Sequence, residues 1–164
     1  MTRHKILPFQ HSMLRKKCSR IRKYDKSIYQ LIEDLIETMD AYGGIGLAAP
    51  QIGRPLKVLV VRVNDVLMTL VNAEIVHENG SEIDEEGCLS LPLYYGKVER
   101  ASRVTVKSMA ENGKMVKHKA EGILARALQH EIDHTNGVLF TDRLVEGSDL
   151  RYVGTDDVEY ERSV

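Results

Sequence analysis

Between Asp25 and the pair Gly43-Gly44, the residues Ile28, Leu31, Ile32, Leu35, Ile36 and Met39 recur at the spacing of one helical face. Glu33, Asp34 and Glu37 take the opposite side. A helix of this kind is stable only when its apolar stripe lies on another layer. Asp25 is a good N-cap, and glycine closes a helix readily because it accepts the left-handed conformation. The partner layer is legible downstream. Residues 56–63 and 67–71 are rich in Val, Leu and Thr and flank a polar turn at Asn64-Asp65, which predicts two strands. Residues 104–109 and 115–119 predict a hairpin around Glu111-Asn112-Gly113. The intervening GIGLAAPQIGRP reads as a loop, and a second helix is predicted over 122–135, stopped by Asn136-Gly137. Helices and strands are thus segregated along the chain, which predicts an α+β fold rather than a repeating βαβ one.

The chain has 164 residues, with no internal repeat, low-complexity stretch or linker, so residues 1–164 are expected to form a single domain. A hydrophobic content of 43% and a net charge of −1 exclude broad disorder. The 23 Lys+Arg against 24 Asp+Glu also disfavour a strongly basic nucleic-acid binder. The charge is unevenly spread, however. Arg3, Lys5, Arg15, Lys16, Lys17, Arg20, Arg22, Lys23 and Lys26 face only Asp25 near the start, and the tail from about 145 to 164 is mostly acidic. No apolar run approaches the ~20 residues that span a bilayer. The opening MTRHKILPFQHSMLRKKC lacks the apolar centre of a secretory signal. Cys18 and Cys88 cannot make a framework of several disulfides, and a reducing cytosol is the expected compartment.

Chemistry enters in the second helix, which contains His130-Glu131-Ile132-Asp133-His134. Histidines four apart share a helical face, so both imidazoles can reach one metal ion. Glu131 lies one residue further round, placed to exchange a proton with a water held by that ion. A catalytic metal needs at least one more protein ligand. Cys88, Cys18, His77, His118, His4, His11 and the carboxylates are all candidates. Cys88 is distinguished by its setting, Glu86-Gly87-Cys88-Leu89-Ser90, in which the glycine permits close backbone approach. In Gly44-Ile45-Gly46-Leu47-Ala48-Ala49-Pro50-Gln51 the glycines follow a helix and precede a strand. That order does not suit a phosphate loop, but it suits a backbone with which an extended peptide pairs. The Gln51 amide could donate to a carbonyl oxygen as it gains charge.

Together, GIGLAAPQ at 44–51, EGCLS at 86–90 and QHEIDH at 129–134 resemble the three motifs of the peptide deformylases, in that family's order and approximate spacing. The resemblance runs from about Ile6 to Leu144. It implies antiparallel β-sheets packed around a central metal-binding helix, with the other helix in the N-terminal half. It implies that Cys88, His130 and His134 bind one divalent metal, that Glu131 is general base and then acid, and that Gln51 and the backbone N–H of Leu89 stabilise the oxyanion. The implied substrate is a nascent polypeptide beginning with N-formylmethionine, paired with the backbone near Gly44, Ile45, Gly46 and Gly87. Ile123, Arg126 and Ala127 would face the methionine side chain, the Arg126 stem lining its pocket. Tyr95 stands where some relatives carry an arginine that contacts the peptide. Glu86 and Asp133 are expected to orient ligands or pair with Arg100. The resemblance favours iron(II), with zinc, nickel or cobalt possible in purified protein. It also carries a bacterial cytoplasmic location and a transient ribosome contact, with no membrane and no sequence-specific nucleic acid. The acidic tail departs from the basic helix that ends many relatives. Two rival readings follow from the residues alone. One is a zinc endopeptidase with a short HExxH helix. The other is a metal-stabilised binding module using a fourth ligand such as Cys18.

Overall fold

The computed structural model of the chain describes residues 3–154. Helix α1 (Lys26–Ala41) is followed by strands β1 (Gly46–Ala48), β2 (Val58–Val63), β3 (Val66–Val71), β4 (Glu74–Asn79), β5 (Glu82–Cys88), β6 (Leu91–Arg100), β7 (Arg103–Met109) and β8 (Met115–Glu121). Helix α2 (Gly122–Thr135) and strand β9 (Arg151–Tyr152) complete the order. Three antiparallel sheets result, ordered β1-β2-β3, β4-β7-β8 and β5-β6-β9. The class is α+β, as the segregated pattern predicts.

The predicted signals act locally as expected. The Asp25 side chain accepts from the backbone N–H groups of Ser27 and Ile28 and starts α1, and Gly43 follows its end at φ 69°. Ile28, Leu31, Leu35 and Met39 are buried with Leu47, Val58 and Val60 in the layer beneath. Asp34 departs from the expected polar side. It is buried, and its carboxylate lies 3.0 Å from His4 Nε2 and accepts from Gln30. Asn64 and Asp65 both have positive φ, the backbone of a two-residue hairpin turn between β2 and β3.

The stretch expected to be a loop is more ordered than that. Gly46–Ala48 pairs with β2, and Ala49–Ile52 forms a 3-10 helix with Pro50 in its first turn. The tail is also partly built. Tyr152 pairs with Tyr94 and Arg151 with Tyr95, which makes the start of that segment an edge strand on β6; its acidic residues from 155 onward lie outside the described residues.

Helix α2 determines where chemistry can occur. Every residue from Ala125 to Thr135 is buried, because β1 and β2 pack on one side of the helix and β4, β7 and β8 on another. A helix so enclosed that carries Arg126, His130, Glu131, Asp133 and His134 must supply each with a partner, since isolated buried charges are costly. No helix is long and apolar enough to cross a membrane among the described residues.

Candidate metal centre

His130 and His134 sit one turn apart on α2, with ring centroids 5.0 Å from one another. Cys88 meets them from the end of β5, where the β5–β6 register shifts between Glu86 and Cys88. Its Sγ is 3.4 Å from His134 Nε2, and one donor atom from each of the three residues lies within 4.8 Å of the others. All three side chains are buried. His130 Nε2, His134 Nδ1 and both carboxylate oxygens of Glu131 are buried without a hydrogen-bond partner. Buried polar atoms are rarely left so, and an orphan imidazole nitrogen beside a thiol fits a metal ion. A soft sulfur with two imidazoles suits zinc, iron(II), cobalt or nickel. The group contains no fourth Cys, His, Asp or Glu donor among the described residues, which suits an open coordination position rather than a closed structural site.

The electrostatics point the same way. Burial, then the charge of Glu131, pushes the Cys88 thiol up to about 12. Burial, then His130, pushes His134 well below its usual range. A neutral His134 is the form that ligates, and a divalent cation beside the sulfur favours thiolate over thiol.

A layer of charge holds the three donor residues from behind. His130 Nδ1 donates to Glu86 Oε1 at 2.8 Å, which leaves the lone pair of Nε2 free to bind an ion. Arg100 grips Glu86 with Nε and Nη2, at 2.7 and 2.9 Å, and reaches Asp133 Oδ2 with Nη1 at 2.7 Å. Burial alone would raise the Glu86 carboxyl; Arg100 and His130 outweigh it and hold it far below the usual carboxylate range. The expected pairing of Glu86 and Asp133 with Arg100 is therefore present.

Glu131 and Gln51 flank the three donor residues. Burial first, then the Glu86 charge, pushes Glu131 well above its usual range. Its carboxylate packs on Gly46 of β1, where a Cβ would lie 2.5 Å from Oε1. Gly46→Ala is therefore expected to displace the Glu131 carboxylate. We expect turnover to fall at least tenfold with the metal retained; wild-type turnover in this variant would show that the carboxylate does not depend on that contact. Gln51 Oε1 accepts the Ala48 N–H at 2.9 Å, which turns Nε2 toward Ser90 Oγ at 3.2 Å and Cys88 Sγ at 3.6 Å. Leu89 directly follows Cys88, and its side chain lies where a Cβ on Gly44 would be, 2.5 Å away.

Several predicted residues have other surroundings. The space beside Gly87 is taken by the Tyr95 ring, 2.7 Å from where a Cβ would lie, so this glycine makes room for a side chain of the chain itself. The Ile45 carbonyl already accepts from Arg62 N at 2.7 Å. The Arg126 guanidinium is buried and donates to Glu86 Oε2 and to the carbonyls of Val98 and Glu82. Its head is committed to supporting Glu86, because a buried guanidinium must satisfy its donors. Ala127 is buried in the core, and only Ile123 of the three helix residues is exposed. The other ligand candidates lie elsewhere. His4 pairs with Asp34, His11 caps a 3-10 helix, His118 meets Ser108, His77 is exposed on β4, and Cys18 lies beside the Lys16 carbonyl.

The profile of the polypeptide deformylase family matches residues 3–149. A peptide deformylase of Thermomicrobium roseum is 45% identical over 155 residues, covering 89% of this chain and 88% of the relative. The chain belongs to the polypeptide deformylase family. The crystal structure of the Thermotoga maritima peptide deformylase superposes with a TM-score of 0.85 at 39% identity, covering 88% of this chain and 99% of that one. A Met-Ala-Ser-bound peptide deformylase of Acinetobacter baumannii superposes with a TM-score of 0.82 at 32% identity, over 88% of this chain and all of that one, 100%. The three segments that resemble the family's motifs are the three that converge on the cluster. Three contributors escape sequence reasoning. Ser90 stands inside the EGCLS motif but has no role until Gln51 is seen to reach it. Phe140, stacked on His130 with centroids 6.0 Å apart, and Arg143, bound to Asp133, come from a 3-10 helix without a periodic signal.

Proposed function

We propose that this member of the deformylase family hydrolyses the formamide of N-formylmethionyl peptides at the Cys88–His130–His134 cluster, releasing formate and a free amino terminus. The observation that carries the reading is the Glu131 carboxylate, buried and without a hydrogen-bond partner, next to His130 on α2 and near enough to Cys88 for its charge to act on the thiol. Cys88, His130 and His134 would hold a divalent ion, iron(II) in the cell and replaceable by zinc, nickel or cobalt, which when bound would supply Lewis acidity and make water a better nucleophile. Glu131 takes the proton of the attacking water and delivers it to the departing nitrogen. Gln51 Nε2, held by the Ala48 contact, donates to the formyl oxygen as charge develops, and the Leu89 N–H is the second donor.

The substrate backbone has an edge on which to lie. Gly46 faces Val61 while Arg62 N donates to Ile45 O, so the Gly46 N–H and C=O point away from β2. That edge supports strand addition by the peptide. Gly44 precedes that edge, Gly87 and the Tyr95 ring packed on it belong to the same proposed peptide site, and Arg126 contributes by holding Glu86. A cytoplasmic location and transient contact with the ribosome belong to the same reading. The exposed Lys16, Lys17, Arg22, Lys23 and Lys26 support such contact with a polyanion.

The test is formate release from N-formyl-Met-Ala-Ser by protein purified anaerobically, with metal content measured on the same sample. Formate with about one metal per chain is expected. Internal cleavage of unblocked peptides without formate release would replace this reading with an endopeptidase.

A further inference from the structure

The 3-10 helix Phe140–Arg143 lies behind the cluster and points its side chains in different directions. Phe140 stacks on the His130 ring and packs with Cys88 and Val98. Arg143 grips Asp133 with two bonds, Nε to Oδ2 at 2.6 Å and Nη2 to Oδ1 at 3.0 Å. Asp133 Oδ2 is also the acceptor of Arg100 Nη1, whose other nitrogens hold Glu86, which holds His130. The line Arg143–Asp133–Arg100–Glu86–His130 therefore runs without a gap from a half-exposed side chain to a buried imidazole. Asp142, the neighbour on the same helix, ties elsewhere, to Arg15 and to the Leu139 N–H.

We propose that Arg143 is a positioning residue for the metal centre, fixing through Asp133 the orientation in which Arg100 and Glu86 hold His130. This rests on the reading of Cys88, His130 and His134 as metal ligands. Arg100 has to serve two carboxylates at once, and its planar fork meets both only if Asp133 is held in place. Arg143 does this by occupying both Asp133 oxygens. A cavity of about 280 Å³, bordered by Glu78, Ser81, Glu99, Arg100, Asp133 and Arg143, adjoins the pair. Without Arg143, water from that cavity competes with Arg100 for Asp133. The Glu86 grip then loosens, and His130 gains freedom to turn away from the ion. Outer partners of metal-binding histidines commonly change metal retention by 10- to 100-fold, and a contact further out acts at the low end of that range.

The test reads metal retention, not turnover. Zinc-loaded wild type, Arg143→Ala, Arg143→Lys and Asp142→Ala are mixed with excess chelator, and the rate of zinc release is followed. Cobalt-substituted samples give the ligand-field spectrum, and the metal-free proteins give melting temperatures. Arg143→Ala is expected to release zinc about tenfold faster and to alter the cobalt spectrum. Arg143→Lys is expected to fall between, because an ammonium cannot span both oxygens. Asp142→Ala cuts the other tie of the same helix, so a merely structural role would speed release there equally; wild-type release is expected instead. Release from Arg143→Ala within twofold of wild type, or equal acceleration in Asp142→Ala, overturns the inference and leaves the metal centre standing. Failure of wild type to bind about one zinc overturns the metal-centre reading and this inference with it.

Discussion

Glu131→Ala is expected to lower formate release by about a thousandfold while zinc or iron still binds one per chain. Positioned acid–base groups contribute roughly 10²- to 10⁴-fold, and here one carboxylate is proposed to act in both directions of proton transfer. The side chain makes no hydrogen bond and is not among the three donors, so its loss should spare the metal. The same isolation gives a second, opposite sign. A buried, unpartnered carboxylate is destabilising for the fold. The metal-free Glu131→Ala protein is therefore expected to melt at or above the wild-type temperature. Activity and stability should move apart, as they do where a site is kept strained for function. A variant that deformylates at the wild-type rate would remove Glu131 from the mechanism. One that melts far lower would show that the residue supports the fold.

The second large effect is expected at Glu86, where stability and metal retention fall together. Its carboxylate accepts from Arg100, Arg126 and His130, all buried. In Glu86→Ala the Arg126 guanidinium loses its paired carboxylate inside the protein, and Arg100 keeps only Asp133. Breaking such a buried pair costs about 3–5 kcal/mol. For a chain of this size that corresponds to a melting temperature lower by roughly 6–20 °C. His130 also loses the acceptor that fixes its tautomer, so metal release should accelerate 10- to 100-fold. Thermal melts and chelator competition on the two proteins measure both. The acid limb follows from the same contacts. Glu86 is held below its ordinary value of 4.5 in the folded chain, so its stabilisation is complete above that value and fades as pH falls below it. Wild type is expected to lose more stability than Glu86→Gln on acidification through that range. Parallel acid profiles would assign the pairing no net contribution.

Asp25, Asn64-Asp65, Asn112-Gly113 and Asn136-Gly137 act within a few residues of themselves, so the two helices and the β2–β3 and β7–β8 hairpins were legible from the chain alone. Strands β4, β5 and β6 were not. They read as charged and mixed segments, EIVHEN and EIDEEGC among them, because much of their length faces solvent or carries the buried ion pairs behind the metal centre. Glu86 and Arg100 look like surface residues until the register of β5 against β6 sets them beside α2.

The candidate donor set was legible for a different reason. His130 and His134 are adjacent through helical geometry, and Glu131 comes with them, so one short stretch carries most of the donors. Cys88 was one candidate among several by residue type and stood apart by its glycine-flanked setting and by motif resemblance. What tertiary structure alone decided is the support around that set. It turned Arg126 toward Glu86 and aimed Gln51 by the Ala48 N–H. It also brought Arg143 and Phe140 from a segment without periodicity to the back of His130. Local sequence encodes what a backbone repeats every few residues. Which distant charges must share one buried volume is settled by the packing of sheets on α2, because only there does an unpaired charge become costly.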